Sequence, residues 1–108
     1  MATATFVQRG ENIDYVAAAD TAYMEVVPLA ARIGVALEAI AKGATGTVTL
    51  TGVFRLPAAT GALAVGAEVY WDTKAGNVAG TKGDTTVFAG YTTEAKTESG
   101  ATVNVRIG

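Results

Sequence analysis

The feature of this chain that most limits its fold is the alternation of side chains along residues 47–56. One set of alternate positions holds mainly threonine and arginine, and the other set holds Val48, Leu50, Phe54 and Leu56. A period of two residues predicts a β-strand. At about 3.3 Å per residue the strand would run roughly 30 Å, so Gly52 is a natural place for a bend or a close approach. Pro57 ends the pattern.

Other segments carry the same kind of signal. Residues 101–107 alternate with Val103, Val105 and Ile107 inward, which predicts a second clear strand. Residues 66–78 predict a β-hairpin whose turn uses Gly76 and Asn77 for positive φ. Residues 12–16 and 23–27 flank a loop, and we interpret them as an antiparallel pair.

Residues 32–43 are ambiguous between helix and strand. Apolar residues recur there at helical spacing and Gly43 fits a helix C-cap, so the local pattern alone favours a helix. However, residues 34–45 recur as residues 90–102 with one residue inserted. The later copy is rich in Thr and Tyr, which suit strands, and we therefore interpret both copies as strands.

These elements together predict an all-β fold, a small single-domain β-barrel or sandwich with at most one short helical turn at residues 56–62. The 108 residues fit one domain, and at this length self-association would add to a modest core. Residues 1–8 are predicted either to form an arm that adds a strand to a partner or to form the first strand of the chain's own sheet.

Composition removes most catalytic chemistry. The chain has no His and no Cys, and Ser99 is its single Ser, so serine and cysteine triads and His-ligated zinc sites are not expected. We interpret the carboxylate pairs, Glu11 with Asp14 and Glu68 with Asp72, as surface groups near turns. No segment matches a phosphate-binding or calcium-binding loop, and neither an enzyme nor a cofactor is predicted.

Charge and hydropathy limit the partners. The net charge is -2 and the basic residues are scattered, so we expect no nucleic-acid binding. No apolar run approaches the roughly 20 residues of a membrane span, and the N-terminus lacks the pattern of a signal peptide, so we expect a soluble protein. One alternative is a carbohydrate-binding module that stacks sugars on Trp71, Tyr70 and Tyr91, although Trp71 fits a core or interface position better.

Several short motifs together resemble a family of small tailed-phage and prophage proteins, over nearly the whole chain. The motifs are Phe6-Val-Gln-Arg-Gly10, Ile13-Asp-Tyr15, Ile33-Gly-Val-Ala36, Gly43-Ala-Thr-Gly46, Gly52-Val-Phe-Arg-Leu-Pro57, Ala59-Thr-Gly61, Gly66, Val69-Tyr-Trp-Asp72 and Val103-Asn-Val-Arg-Ile107. That family is best understood as capsid cement, or decoration, proteins, and it is sometimes labelled a predicted phage recombinase. The recombinase label fits poorly, because such an enzyme needs a nucleotide-binding loop and a larger α/β domain.

The resemblance implies a β-rich, trimeric subunit that binds the outer surface of the phage head and clamps neighbouring copies of the major capsid protein. It implies location in the virion after synthesis in the host bacterial cytoplasm. A tail or baseplate protein is a second structural reading. The family's motifs do not fix the residues that contact the shell. We assign that contact, as a hypothesis, to the N-terminal arm at Thr3, Thr5, Phe6 and Gln8.

Overall fold

The computed structural model describes residues 2–108 and, within them, contains nine strands in two antiparallel sheets and no helix. Sheet I has the order β1-β4-β3-β2 and consists of β1 (Asn12–Val16), β2 (Val26–Pro28), β3 (Ile33–Ala36) and β4 (Thr45–Thr49). Sheet II has the order β5-β9-β8-β6-β7 and consists of β5 (Gly52–Pro57), β6 (Glu68–Asp72), β7 (Asn77–Ala79), β8 (Thr86–Thr92) and β9 (Thr102–Ile107). The all-β prediction is confirmed, and the open sheets form a sandwich rather than a closed barrel.

The alternating segment 47–56 forms two strands instead of one. It is divided between β4 in sheet I and β5 in sheet II, and the chain crosses between the sheets at Leu50 and Thr51. Gly52 starts β5 with φ of +133°, a backbone conformation that other residues rarely adopt. The predicted bend at this glycine is therefore where the chain changes sheets.

The predicted pairing of residues 12–16 with residues 23–27 is wrong. β1 pairs with β4 and β2 pairs with β3, so β1 and β2 are the two opposite edges of sheet I. Alternation within a segment shows which face is buried but contains no information on the neighbouring strand. The pairing depends on contacts far apart in sequence, such as Ile13 opposite Val48.

Residues 32–43 contain a strand, as the repeat predicted, and the helical alternative is wrong. All four residues of β3 are buried, because it is an inner strand with core on both of its faces. Ile33 and Val35 lie in one apolar cluster and Ala36 lies in another. Burial on both faces removes the alternation of polar and apolar residues that indicates a strand. The apolar residues at helical spacing therefore indicated a helix where the chain forms a strand.

The hairpin of residues 66–78 is confirmed as β6 and β7, and Trp71 lies in the core at 9% exposure. Gly76 has the predicted positive φ of 71°, but Asn77 does not and instead begins β7. Residues 56–62 form no helical turn, since β5 continues to Pro57 and Ala58 then makes a parallel bridge to Val78.

Two apolar clusters hold the sheets together. The larger lies between them and joins Val26, Ile33 and Val35 of sheet I to the inner face of sheet II. The residues that it takes from sheet II include Phe54, Leu56, Val69, Trp71, Val103, Val105 and Ile107. The smaller cluster lies on the other face of sheet I, here called its distal face, and includes Ile13, Tyr15, Val27, Leu29, Ala36, Ile40 and Val48.

The internal repeat extends over both sheets. The order β1-β4-β3-β2 in sheet I matches the order β5-β9-β8-β6 in sheet II, and β7 is an addition at the edge. Thr21 and Ile40 exchange two backbone hydrogen bonds, both of 2.8 Å. Leu63 and Lys96 exchange the same pair in the second half, at 3.0 and 2.9 Å. The chain is thus built from two halves with the same strand connections.

Gly34 and Gly90 are counterparts in this repeat, and both lie where a neighbouring strand approaches the backbone closely. A Cβ on Gly34 would be 2.5 Å from Val48 Cγ1 and 2.9 Å from the carbonyl oxygen of Thr49. A Cβ on Gly90 would overlap the carbonyl oxygen of Arg106, and Gly90 also has φ of +150°. The absence of a side chain is therefore needed at the same place in both sheets.

We expect Gly90→Ala to lower the free energy of unfolding by roughly 2–4 kcal/mol, through backbone strain and overlap with β9. Gly34→Ala should act in the same direction. Gly83→Ala is the control, because its nearest neighbour, Thr86 Cγ2, would be at an ordinary 3.8 Å. Denaturant unfolding followed by circular dichroism measures all three. Equal stability of Gly83→Ala and Gly90→Ala would contradict the assignment.

Candidate interaction surfaces

Residues 2–8 of the predicted N-terminal arm are exposed and precede β1, and Met1 lies outside the described residues. Within the described part of the chain the arm belongs to no strand, so the prediction that it is the first strand of the chain's own sheet is wrong. Phe6 and Val7 are 84% and 85% exposed. Gln8 donates a side-chain hydrogen bond of 3.5 Å to the carbonyl oxygen of Asn12, the first residue of β1. The arm therefore presents large apolar side chains to its surroundings.

A second surface is the outer face of sheet II, opposite its inner face. Strand register places one residue from each of four neighbouring strands in a row across this face, and the row is Val53, Arg106, Tyr91 and Glu68. All four are exposed, with Val53 at 57% and Tyr91 at 48%. The row combines apolar, aromatic and charged side chains.

Three aromatic rings make contact on this outer face. Tyr70 and Phe88 have ring centroids 5.8 Å apart with planes at 69°, and Phe88 and Tyr91 are 5.6 Å apart at 76°. Both pairs have the edge-to-face geometry that aromatic side chains favour. A register shift between Val69 and Tyr70 brings Phe88 opposite Tyr70. Trp71 points to the other face and is buried, so the predicted three-residue stacking platform does not form.

Glu68 is held beside the aromatic rings. Its Oε2 accepts a hydrogen bond of 3.2 Å from the Tyr70 hydroxyl. Desolvation, together with this bond and the negative charge of Glu68, raises the pKa of Tyr70 above its ordinary value. Tyr70 therefore remains a neutral hydrogen-bond donor at neutral pH. Aromatic and arginine side chains are the residues that most often dominate binding at protein interfaces.

Asp72 has a structural role in the turn between β6 and β7. Its Oδ1 accepts hydrogen bonds from the backbone N–H of Lys74 and Ala75, at 2.9 and 3.1 Å, and from the Thr85 hydroxyl at 2.9 Å. The bonds from Ala75, Thr85 and Lys74 lower the pKa of Asp72. Glu68 and Asp72 thus have separate partners and do not form an acid–base pair.

A groove of about 430 Å³ separates the segment 59–63 from the end of β7, and it was not predicted from the sequence. Lys96 is buried and bonded to Gly61, which lines the groove, although its counterpart in the repeat is the apolar Ile40. Its Nζ donates hydrogen bonds to the carbonyl oxygens of Gly61, Thr97 and Glu98, at 2.5, 3.0 and 3.4 Å. These carbonyls satisfy the buried ammonium group and fix the wall of the groove.

No group of three or more His, Cys, Asp or Glu side chains in residues 2–108 is arranged to hold a metal ion. Over the same residues no helix has the length and apolar character needed to cross a membrane.

Comparison with known families decides the class of the protein. The model of a family described as phage cement protein matches residues 7–107. The chain belongs to the phage cement protein family. Neither the curated proteins nor the solved structures gave a match. The resemblance noted in the sequence is confirmed.

Family membership gives this cement protein a structural role in the phage capsid, as cement or decoration. The matched region contains both sheets and the whole outer face of sheet II. Arm residues Thr3, Thr5 and Phe6 precede it, and Gln8 lies inside it. Capsid contact by these four residues stays a prediction.

We expect acid to weaken this cement protein partly through Asp72. Because folding lowers the pKa of Asp72, its contribution to stability is complete above the ordinary carboxyl value of about 4 and is lost as pH falls through the folded value. Asp72→Asn should therefore lower stability at neutral pH and reduce the further loss below pH ~4. Asp84→Asn, an exposed residue just before β8, controls for the loss of one negative charge. Melting temperatures across a pH series measure the effect, and parallel curves for wild type and Asp72→Asn would contradict it.

Proposed function

We propose that the chain binds the outer surface of the phage head as a homotrimer and reinforces the lattice of the major capsid protein. The observation that carries this proposal is the family match over residues 7–107. An outer-surface protein meets the shell at many repeated positions, so each contact can be modest while the whole lattice is strengthened. The mild acidity of the chain suits a protein kept apart from packaged DNA.

The N-terminal arm is the proposed capsid contact. It is exposed, unpaired in either sheet and long enough to lie as an added strand along an edge of a capsid subunit. In an extended arm Phe6 and Gln8 lie on one side, and Thr3 and Thr5 lie on the other. We assign Phe6 as the apolar anchor, because 84% of its surface is exposed in the isolated chain.

The same proposal makes the protein a non-enzyme that works without a cofactor or a nucleic-acid partner. The sequence contains no His and no Cys, and the Asp72 carboxylate accepts hydrogen bonds from the backbone N–H groups of its own turn. Synthesis in the host bacterial cytoplasm, followed by addition to assembled heads, completes the proposed course.

Decoration of purified heads tests the proposal. Heads that lack the protein should bind it in a fixed ratio and should then resist higher temperature or lower salt than bare heads. Electron microscopy of the particles should place it on the head, whereas binding to the tail would support a baseplate role. Failure to bind either expanded or unexpanded heads sinks the proposal.

We expect Phe6→Ala to weaken binding to heads by about tenfold per site, since loss of an apolar anchor at an interface typically costs more than 1 kcal/mol. Val65→Ala is the matched control, because Val65 is 66% exposed but lies in the turn before β6. Both variants should keep the melting temperature of the wild type. Sedimentation of heads with increasing protein measures the affinity, and equal binding by Phe6→Ala and wild type removes the arm from the contact.

A further inference from the structure

The two halves of the chain pack against each other through unlike faces. Sheet I contributes Val26, Ile33 and Val35, and these lie in one cluster with the inner face of sheet II. Ile33 and Val35 are each 1% exposed. The contact within the chain is therefore buried and apolar. It joins the face of sheet I that carries Ile33 and Val35 to the inner face of sheet II, and these two faces are not counterparts in the repeat.

Strand register shows which face of sheet II corresponds to the face that sheet I buries. Val26 pairs with Val35 in sheet I. In the counterpart strands β6 and β8 of sheet II, the equivalent pair is Glu68 with Tyr91. Phe88 lies three residues before Tyr91 and, because the register shift places one extra residue in β8, it pairs with Tyr70 and occupies the place of Ile33, which pairs with Pro28. The outer face of sheet II is thus the counterpart of the face that sheet I uses to bind sheet II.

The reverse comparison identifies the counterpart of the inner face of sheet II. Phe54 pairs with Val105 in sheet II, and Ile13 pairs with Val48 at the same place in sheet I. By the same register Ile13 is the counterpart of Phe54, and Tyr15 is the counterpart of Leu56. Leu29, directly after β2, is the counterpart of Trp71 in β6. Ile13, Tyr15 and Leu29 lie on the distal face of sheet I and are only partly buried in the isolated chain.

We propose that a second copy of this chain docks by repeating the contact that already joins the two halves. The outer face of sheet II of one copy, with Tyr91, Phe88 and Val53, packs on the distal face of sheet I of the next copy, around Leu29, Tyr15 and Ile13. Each face is the repeat counterpart of one that is buried within the chain. Both carry large apolar or aromatic side chains that the isolated chain leaves partly exposed.

This contact joins two different faces, so it passes from copy to copy in one direction. Such a head-to-tail contact makes a ring when its rotation closes. Three copies would give a ring of six sheets. The number three rests on the proposed function, whereas the choice of faces rests on the repeat. A two-fold contact would instead pair Tyr91 with its own copy.

Charge introduced on either face tests the pairing. We expect Tyr91→Glu and Leu29→Glu each to reduce the wild-type oligomer to monomer, as measured by light scattering after gel filtration without heads. Val65→Glu, which adds the same charge outside both faces, should keep the wild-type mass. Mixed together, the two variants retain one intact face each and should form a complex of two chains and nothing larger. A monomeric wild type, a variant with wild-type mass, or a mixture that stays monomeric overturns the proposal.

Cysteine cross-linking avoids the risk that Leu29→Glu unfolds sheet I, and the chain contains no natural cysteine. Oxidised mixtures of Tyr91→Cys and Leu29→Cys should give covalent dimers, and either variant alone should give none. Dimers of Tyr91→Cys alone would indicate a two-fold contact and overturn the head-to-tail proposal. Because these assays use protein without heads, failure of decoration with a positive cross-link rejects the proposed function and leaves the pairing of faces standing.

Discussion

The structure depends on strand β3, which is buried on both faces. Its Ile33 and Val35 reach the inner face of sheet II, and its Ala36 lies in the cluster on the distal face of sheet I. Burying a side chain of this size contributes about 1.5–3 kcal/mol, so this short strand links both clusters at a substantial gain. Gly34, between these residues, allows β4 to approach closely enough to close the distal cluster. β3 is thus the strand of sheet I that contributes buried residues to both apolar clusters.

Features of the fold that depend on neighbouring residues could be predicted from the sequence, whereas features that depend on distant residues could not. Alternation is local, so the strand character of residues 47–56 and 101–107 was readable from the sequence, as was the hairpin around Trp71. The sequence predicted a bend at Gly52, but it did not predict that the chain passes there from sheet I to sheet II. The partners of β1 and β2 were beyond local reading, because alternation shows a buried face and says nothing about which strand lies beside it. β3 was readable only through its repeat, since burial on both faces hides the period of two.

The N-terminal arm and the outer face of sheet II also differ in how far the sequence predicts them. The arm was foreseeable from its place before the first strand, and the choice between arm and strand needed the structure. The outer face of sheet II was not foreseeable, because its row of side chains comes from four strands that are distant in sequence. The sequence indicates Tyr70 and Tyr91 as aromatic residues of one surface, but Phe88 joins them only through the register shift in β8. The repeat itself held the missing signal, since it equates this face with one that is buried.

The two halves differ at positions where the second half carries a polar or exposed side chain and the first half carries a buried apolar one. Ile40 belongs to the distal cluster of sheet I, whereas its counterpart Lys96 is buried against three carbonyl oxygens, one of them from Gly61 in the wall of the groove beside β7. Val35 is buried between the sheets, whereas its counterpart Tyr91 is half exposed beside Arg106. A face that binds within one chain can be wholly apolar, because it is never exposed to water after folding. A face that is exposed to water before it binds another chain needs both polar groups for solubility and apolar area for binding. A tyrosine side chain supplies both, through its hydroxyl group and its aromatic ring. The difference between Val35 and Tyr91 is the one expected if the face of sheet I that carries Val35 binds within the chain and its counterpart, the outer face of sheet II, binds another copy.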